Sequence, residues 1–455
     1  MIETDLTKFL PDLIEVESLF KDYGELNIKH KFNDGGDRIV NTVIVNGKAY
    51  AFGTFLGKIG EIERKRLVKR YAKLAIYKTL SKIYNVNLPW GSLTGIRPTK
   101  LAYQEIAKIG EFKDFFINTL KVSEEKTELT AEVINSQKGI YQTADGGSDF
   151  FVFIPFCPSR CEYCSFISQD VRTANSLVDV YVDTLIREIE ESVKFIKNLR
   201  SIYIGGGTPV ALSDKNLERV LNAIDKINNG VEFTVEAGRP DAITKENLNI
   251  LKSHGVTRIS INPQTFSDDT LKLIGRNHTS ADIYKAYELA RGRFSINMDL
   301  IAGLPNEDFN VFSDTLEKSI ALNPDNITVH TLCVKKGSRL AEKTSALSAG
   351  DAISCVDYAH ERLNEAGYNA YYLYRQKYMA GNLENVGYCK PETACIFNVD
   401  TMEEIASVVA CGANAISKHV KDNGERIERY AAPKDVKTYL DKIDVILDKK
   451  EEFFG

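Results

Sequence analysis

Cys157-Pro-Ser-Arg-Cys161-Glu-Tyr-Cys164 places three cysteines at C-x3-C-x2-C spacing, directly after the apolar run Phe151-Val-Phe-Ile-Pro-Phe156. The run reads as a buried strand, so the thiols stand on the loop that leaves its C-terminal end. Thiolates are the soft ligands that iron–sulfur clusters need. A cluster held by only three of them keeps one iron open to a small chelating molecule. Structural zinc prefers four ligands in separated pairs, and no second pair lies nearby in the chain. Three reduced cysteines on an ordinary loop remain the competing reading of this stretch alone.

Outward from the cysteines, short β-branched runs alternate with helix-length amphipathic segments. Strands are expected at Phe151–Ile154, Ser201–Ile204, Glu232–Val235, Arg258–Ile261, Ser295–Leu300 and Asn326–Thr331. Helices are expected at Leu177–Phe195, Asp214–Ile227, Lys245–His254, Ile283–Arg291 and Phe309–Leu322, with Ser213 and Thr244 placed as N-caps. Six strand-then-helix units predict a parallel sheet with right-handed crossovers, bent into a partial barrel. The chemistry-bearing words fall at or near the C-terminal ends of these strands, where barrel enzymes build their sites. They are Gly205-Gly206-Gly207-Thr208-Pro209, Thr234-Val-Glu236, Arg258-Ile-Ser-Ile-Asn-Pro-Gln264, Arg276 and Asn297-Met-Asp299-Leu-Ile-Ala-Gly-Leu-Pro305.

This ordered set resembles the radical S-adenosylmethionine superfamily over roughly residues 148–380, and within it the oxygen-independent coproporphyrinogen III oxidase group. Leu93-Thr-Gly-Ile-Arg-Pro-Thr-Lys100 and Glu384-Asn-Val-Gly-Tyr388 are similar to words of its HemZ-like branch. The resemblance implies an α/β protein: a partial (β/α)6 TIM-like barrel at 148–380, an α+β N-terminal domain at 1–147 and a short C-terminal extension at 381–455.

It also implies a [4Fe-4S] cluster on Cys157, Cys161 and Cys164, whose open iron chelates S-adenosylmethionine, one or two molecules of which bind. An electron passed into the sulfonium yields a carbon radical that abstracts hydrogen from substrate. Tyr163 would pack near the adenine. Gly206, Gly207 and Thr208 would meet the methionine amino group, and Glu236 the ribose hydroxyls. Gln264 and Arg276 would contact S-adenosylmethionine or a second copy of it, with Asp299 on the same rim. No residue is assigned as catalytic. The implied reaction is oxidative decarboxylation of two propionates of coproporphyrinogen III, giving protoporphyrinogen IX. A haem-binding chaperone or a haem-modifying protein of the same group is the alternative. The partners implied are a tetrapyrrole substrate and an electron donor such as flavodoxin or ferredoxin, with the chain acting as a monomer. Arg160, Arg239, Lys335 and Lys336 are candidate cations for the substrate carboxylates.

The chain departs from the oxidase pattern at three points. It has Phe151-Val-Phe153 where the group carries Tyr-x-His, and Phe166 where the oxidases place a fourth cysteine. It also has Asn262-Pro-Gln264 in place of Gly-Val-Gln.

Composition bounds the rest. The 455 residues, 43% hydrophobic and 27% charged, suit two or three ordinary globular domains. A net charge of -5 argues against general nucleic-acid binding. No apolar stretch approaches the roughly 20 residues of a membrane span. With no signal peptide visible at Met1-Ile-Glu-Thr-Asp5, the eight cysteines read as reduced thiols and metal ligands, and a cytoplasmic setting is expected.

The N-terminal region predicts strands at Asn27–Phe32, Arg38–Val45 and Ala49–Thr54 and a helix at Glu61–Tyr84. That helix carries Arg64, Lys65, Arg66, Lys69, Arg70, Lys73, Lys78 and Lys82, as either a solvated face or a surface for an anionic partner. Trp90–Thr99 is turn-rich. Asp400–Cys411 is expected to be helical, as is Lys434–Glu452. Cys389, Cys395 and Cys411 read as buried thiols or, alternatively, as ligands of an auxiliary cluster. Of six histidines, His330 alone is well placed on the active face.

Overall fold

The computed structural model describes residues 2–95, 97–141, 147–164, 169–333, 349–376, 383–424 and 426–455. The chain divides into two compact units: residues 1–131 with 375–377, and residues 132–374 with 378–455.

In the first unit, β1 (Ile2–Thr4), β2 (Ile28–Asp34), β3 (Arg38–Val45) and β4 (Lys48–Phe55) form a sheet in sequence order. The turn between β3 and β4 is Asn46-Gly47, both at positive φ (50° and 76°), the pairing a tight hairpin demands. Alternation along β3 buries Ile39, Val43 and Val45. Helix α1 (Leu10–Ser18) and helix α2 (Glu61–Tyr84) cover that face, the latter through Ala72, Ala75, Ile76 and Leu80. Asn85, left-handed at φ 55°, ends α2. Helix α3 (Pro98–Ile109) begins with proline and stops at Gly110, and α4 (Glu124–Ser136) follows, its residues from Glu132 on counted in the second unit.

The second unit is built on an eleven-stranded sheet. Its centre is six parallel strands in order: β5 (Ser148–Ile154), β8 (Leu199–Gly206), β9 (Glu232–Gly238), β10 (Arg258–Ile261), β11 (Ser295–Ala302) and β12 (Asn326–Thr331). The short strands β6 (Phe156–Cys157) and β7 (Gln169–Asp170) pair on the loop after β5. The crossovers carry α5 (Asn175–Ser192), α6 (Asp214–Asp225), α7 (Lys245–Ser253), α8 (Asp268–Leu273), α9 (Ser280–Ala290) and α10 (Phe309–Leu322). This is the partial (β/α)6 barrel expected from the sequence. Ser213 and Thr244 accept from the N3 amides of α6 and α7, as their cap role requires. The core between sheet and helices draws on five of these six strands: Val152, Ile204, Val235, Ile259 and Met298 all lie at 1% exposure or less.

The remaining elements extend the sheet at both edges. After α11 (Ala349–Glu365), β13 (Asn369–Tyr374) and β14 (Asn385–Cys389) add antiparallel strands beyond β12. At the other edge, α12 (Ile396–Glu403) leads into β15 (Ser407–Cys411), which runs parallel to β5, and β16 (Ile416–Lys421) and β17 (Arg426–Ala431) complete the sheet. Here the sequence expectation fails. Asp400–Cys411 is helical only to Glu403, where Glu404 turns left-handed at φ 56°, and Ser407–Cys411 is strand. The β-branched pair Val408-Val409 fits a pleated, doubly buried position better than a helix face. Helices α13 (Val436–Asp441) and α14 (Ile443–Phe454) occupy the expected helical tail. Among the described residues no helix is long and apolar enough to cross a membrane.

Candidate functional site

Pro155 has no N–H to give the sheet, so the chain leaves β5 there and starts the cysteine loop. Backbone bonds then fix the loop. Thr208 N–H donates to the Phe156 carbonyl (2.7 Å), Val171 to Cys157 (2.9 Å) and Glu162 to Ile274 (3.0 Å). Cys157, Cys161 and Cys164 are partly exposed and unbridged, whereas Cys355, Cys389, Cys395 and Cys411 are buried. Two of the three loop thiols face a donor. The Thr208 hydroxyl points at Cys157 Sγ (3.6 Å), and the Arg239 guanidinium lies 4.0 Å from Cys161 Sγ. Both contacts turn a polar donor toward the sulfurs of the loop.

The glycine triplet after β8 presses against this loop. A side chain on Gly207 would put its Cβ 2.4 Å from the Phe156 oxygen and 3.0 Å from Cys157 Sγ. Gly206 sits at φ 110°, with its amide donating to Glu236 at 3.2 Å. The triplet is therefore glycine for two separate reasons, backbone conformation and close approach.

On the next strands the polar side chains line one rim. Glu236 accepts from the Tyr203 hydroxyl (2.7 Å) and from Gly206 N–H. Burial pushes its carboxyl up to about 7, and the charge of Asp299 adds to the rise. Asp299 goes the other way. Burial alone would raise it, but the His330 imidazole (3.8 Å away) and the Asn297 amide (2.8 Å) hold it below the usual carboxylate range. Two carboxyl groups on one rim, on β9 and β11 with β10 between them, whose proton affinities are pushed in opposite directions, are a pattern of sites that handle protons or hydroxyls.

Gln264 is left-handed at φ 67° and locked there by its amide on the Asp299 carbonyl (2.9 Å) and its carbonyl on Ile301 (3.0 Å). Its Oε1 is buried and, among the described residues, has no hydrogen-bond partner; the same holds for Asn262 Oδ1 and Arg276 Nε. Arg276 spends its other nitrogens on the Asn262 carbonyl (2.5 Å) and the Tyr163 hydroxyl (3.0 Å). Tyr163 packs its ring on Leu271, Ile274, Ile301, Leu304 and Leu332, and burial raises its hydroxyl pKa. Orphaned polar atoms gathered on one rim beside strained backbone are what a missing polar ligand leaves behind.

The structure thus brings Tyr163, Gly206, Gly207, Thr208, Glu236, Gln264, Arg276 and Asp299 to the same end of the barrel strands as the three cysteines. Among the described residues, no three His, Cys, Asp or Glu side chains come close enough to hold a single metal ion. Arg239 differs from its sequence reading. It is buried, ion-paired with Asp241 (2.6 Å) and hydrogen-bonded to Ser159 (2.8 Å), so its charge supports the cysteine loop instead of awaiting a carboxylate. Lys335, Lys336 and Phe166 lie outside the described residues. Cys389 and Cys395 share one apolar cluster and Cys411 sits in another, the arrangement of packed thiols. The sequence reading missed Tyr203 and Asn297, which orient the two carboxyls. Alternation along β8 was the available signal, since Tyr203 and Gly205 share a face.

Comparison with known proteins agrees with this fold. The family model described as the radical SAM superfamily matches residues 151–318. The chain is 34% identical over 414 residues to the "oxygen-independent coproporphyrinogen-III oxidase-like protein HemZ" of Bacillus subtilis, covering 86% of this chain and 82% of that one. It is 30% identical over 302 residues to the "heme chaperone HemW" of Haemophilus influenzae, covering 64% and 75%. Among solved structures, coproporphyrinogen III oxidase (HemN) of Escherichia coli superposes with a TM-score of 0.55 at 23% identity, over 71% of this chain and 74% of that one.

Proposed function

Since the chain belongs to the radical SAM superfamily, in its coproporphyrinogen oxidase-like group, we propose that it is an oxygen-independent enzyme of tetrapyrrole metabolism. Its proposed reaction is the oxidative decarboxylation of coproporphyrinogen III. A [4Fe-4S] cluster and S-adenosylmethionine supply, when bound, the one-electron, hydrogen-abstracting chemistry that an unactivated carbon requires.

The chain's own residues have separate tasks in this reading. Cys157, Cys161 and Cys164 would hold the cluster, with the Thr208 hydroxyl and the Arg239 guanidinium beside two of the sulfurs. Gly206 and Gly207 let backbone approach the cofactor without a side chain between. Glu236 takes the ribose hydroxyls, and its half-protonated state near pH 7 lets it accept or donate there. Gln264 Oε1 and Arg276 Nε present buried groups to the cofactor or to a second copy of it. Asp299 and His330, 3.8 Å apart, face the substrate side together. Each of the two reacting propionates loses a β-hydrogen atom, then carbon dioxide, and one electron leaves to an external acceptor; a vinyl group remains in its place, and the other two propionates are kept.

The observation that carries the reading is the length of the HemZ match, which runs well past the barrel. A second reading, a haem-binding chaperone, is favoured by Phe166, the residue that replaces the oxidases' fourth cysteine, and by the HemW relative. Reconstituted protein supplied anaerobically with S-adenosylmethionine, reductant, coproporphyrinogen and haem separates the two by mass spectrometry. Mono- and divinyl products support the enzyme. Intact haem bound stoichiometrically, with no vinyl product and the cluster intact, would overturn it.

A further inference from the structure

A cavity of about 250 Å³ opens at the C-terminal end of α2, remote in sequence from the cysteine rim. Lys78 and Lys82, one turn apart on α2, line it together with Lys121, which comes from the segment before α4. Among the described residues none of the three makes an ion pair, although the carboxylates of this unit pair Arg64, Lys69, Arg70 and Lys108. The helix dipole accounts for one cation in the last turn. It does not account for two like charges at i, i+4, which repel, nor for a third brought from another element. Burial, with Lys121 second, lowers the Lys78 ammonium pKa, as crowded cations require.

Lys121 is delivered on purpose-built backbone. It is left-handed at φ 65°, and the Leu120 carbonyl before it accepts from both N–H and Oγ of Ser92 at 2.9 Å. A Cβ at Gly91 would stand 2.2 Å from the Lys121 oxygen, so only glycine allows this approach. The turn-rich word Trp90-Gly91-Ser92 therefore places Lys121 at the cavity. Ser81 and Asn85 add polar groups to the same lining.

We infer that this cavity binds a small molecule carrying a phosphate dianion. Lys78 and Lys121, close enough for one charge to act on the other, offer ammonium groups to phosphate oxygens, and Lys82, whose ammonium lies over the Tyr50 ring at 6.0 Å, adds a third positive charge nearby; hydroxyl and amide groups on the same lining serve the rest of the ligand. The volume equals roughly eight waters and falls below the roughly 300 Å³ where drug-sized pockets begin, so a tetrapyrrole does not fit.

Calorimetric titration of the full-length protein with inorganic phosphate and with glycerol 3-phosphate, at low ionic strength, tests the inference. One saturable site per chain is expected, with glycerol 3-phosphate binding at least as tightly as phosphate. Lys78→Gln with Lys121→Gln should weaken it by roughly tenfold or more, with the far-ultraviolet spectrum unchanged. Lys65→Gln, on the same helix but outside the cavity, should leave it intact. Absence of saturable binding, or equal weakening by Lys65→Gln, would overturn the assignment.

Discussion

Arg276 donates to the Tyr163 hydroxyl at 3.0 Å and to the Asn262 carbonyl at 2.5 Å, so one buried guanidinium ties the cysteine loop to the segment after β10. Read from sequence, Arg276 is simply a cofactor contact. The geometry gives it a prior duty in the fold, and only its Nε is left for a ligand. Tyr163→Phe removes one acceptor and is expected to cost about 1 kcal/mol, with iron content retained. Arg276→Ala strands a buried carbonyl and hydroxyl and is expected to cost about 2–4 kcal/mol and to lower iron per chain. Anaerobic denaturation and iron analysis of both variants check this; equal iron loss in the two would refute the distinction.

Glu236 links stability to pH. Its carboxyl, about 7 in the fold against an ordinary 4.5, holds its proton more tightly folded than unfolded. The contribution is whole below about pH 4.5, drains away as pH rises, and is gone above about 7, a span of about 3 kcal/mol. Glu236→Gln cannot ionise. It should match the parent near pH 5, exceed its stability by about 2 kcal/mol near pH 8, and bind S-adenosylmethionine roughly tenfold more weakly. Urea midpoints of the apo-protein at the two pH values decide it; the same offset at both would show that the group is already ionised.

Gly207→Ala should displace the cysteine loop, because the new methyl would lie 2.4 Å from the Phe156 oxygen. The expected outcome is loss of iron comparable to Cys157→Ala, Cys161→Ala or Cys164→Ala. Gly60→Ala, with nothing within 4 Å of the added carbon, and Cys355→Ser should keep a full complement. Absorbance near 400 nm and iron per chain report on all six; a Gly207→Ala protein with normal iron would mean that the loop can yield.

Lys450 and Glu188 form an ion pair at 2.7 Å with side chains no more than 1% exposed, and Tyr439 and Gly412 N–H also donate to Glu188. Lys450→Met leaves a buried carboxylate without its counter-charge and should cost about 3–5 kcal/mol. The double variant Lys450→Met/Glu188→Leu should recover part of that. Thermal denaturation of the set measures the coupling, and purely additive losses would disprove it.

The barrel was legible because its strands are β-branched runs ending in words whose chemistry is dense. Asn326–Thr331 and Phe309–Leu322 emerge with the bounds expected of them. What stayed hidden depends on register. Tyr203 reaches Glu236 only because β8 pairs Tyr203 with Thr234 and Ile204 with Val235, a fact no single strand carries. Val408–Cys411 is too short an apolar run to tell strand from helix by periodicity. Its identity is decided by β5, a partner about 260 residues earlier. Likewise, Arg239 looked like a free cation because its acceptor Asp241 is visible two positions on, but the burial that commits the pair is not.

That late partner has a consequence for how the protein is made. Until Ser407–Cys411 has been synthesised, one edge of β5, the strand that carries the cysteine loop, stays bare. At ordinary elongation rates the ribosome needs roughly ten to fifty seconds to reach it. During that interval the nascent chain exposes an apolar template for mispairing beside three oxidisable thiols. A chain that stops short of Ser407 is therefore expected to aggregate through the bare edge of β5.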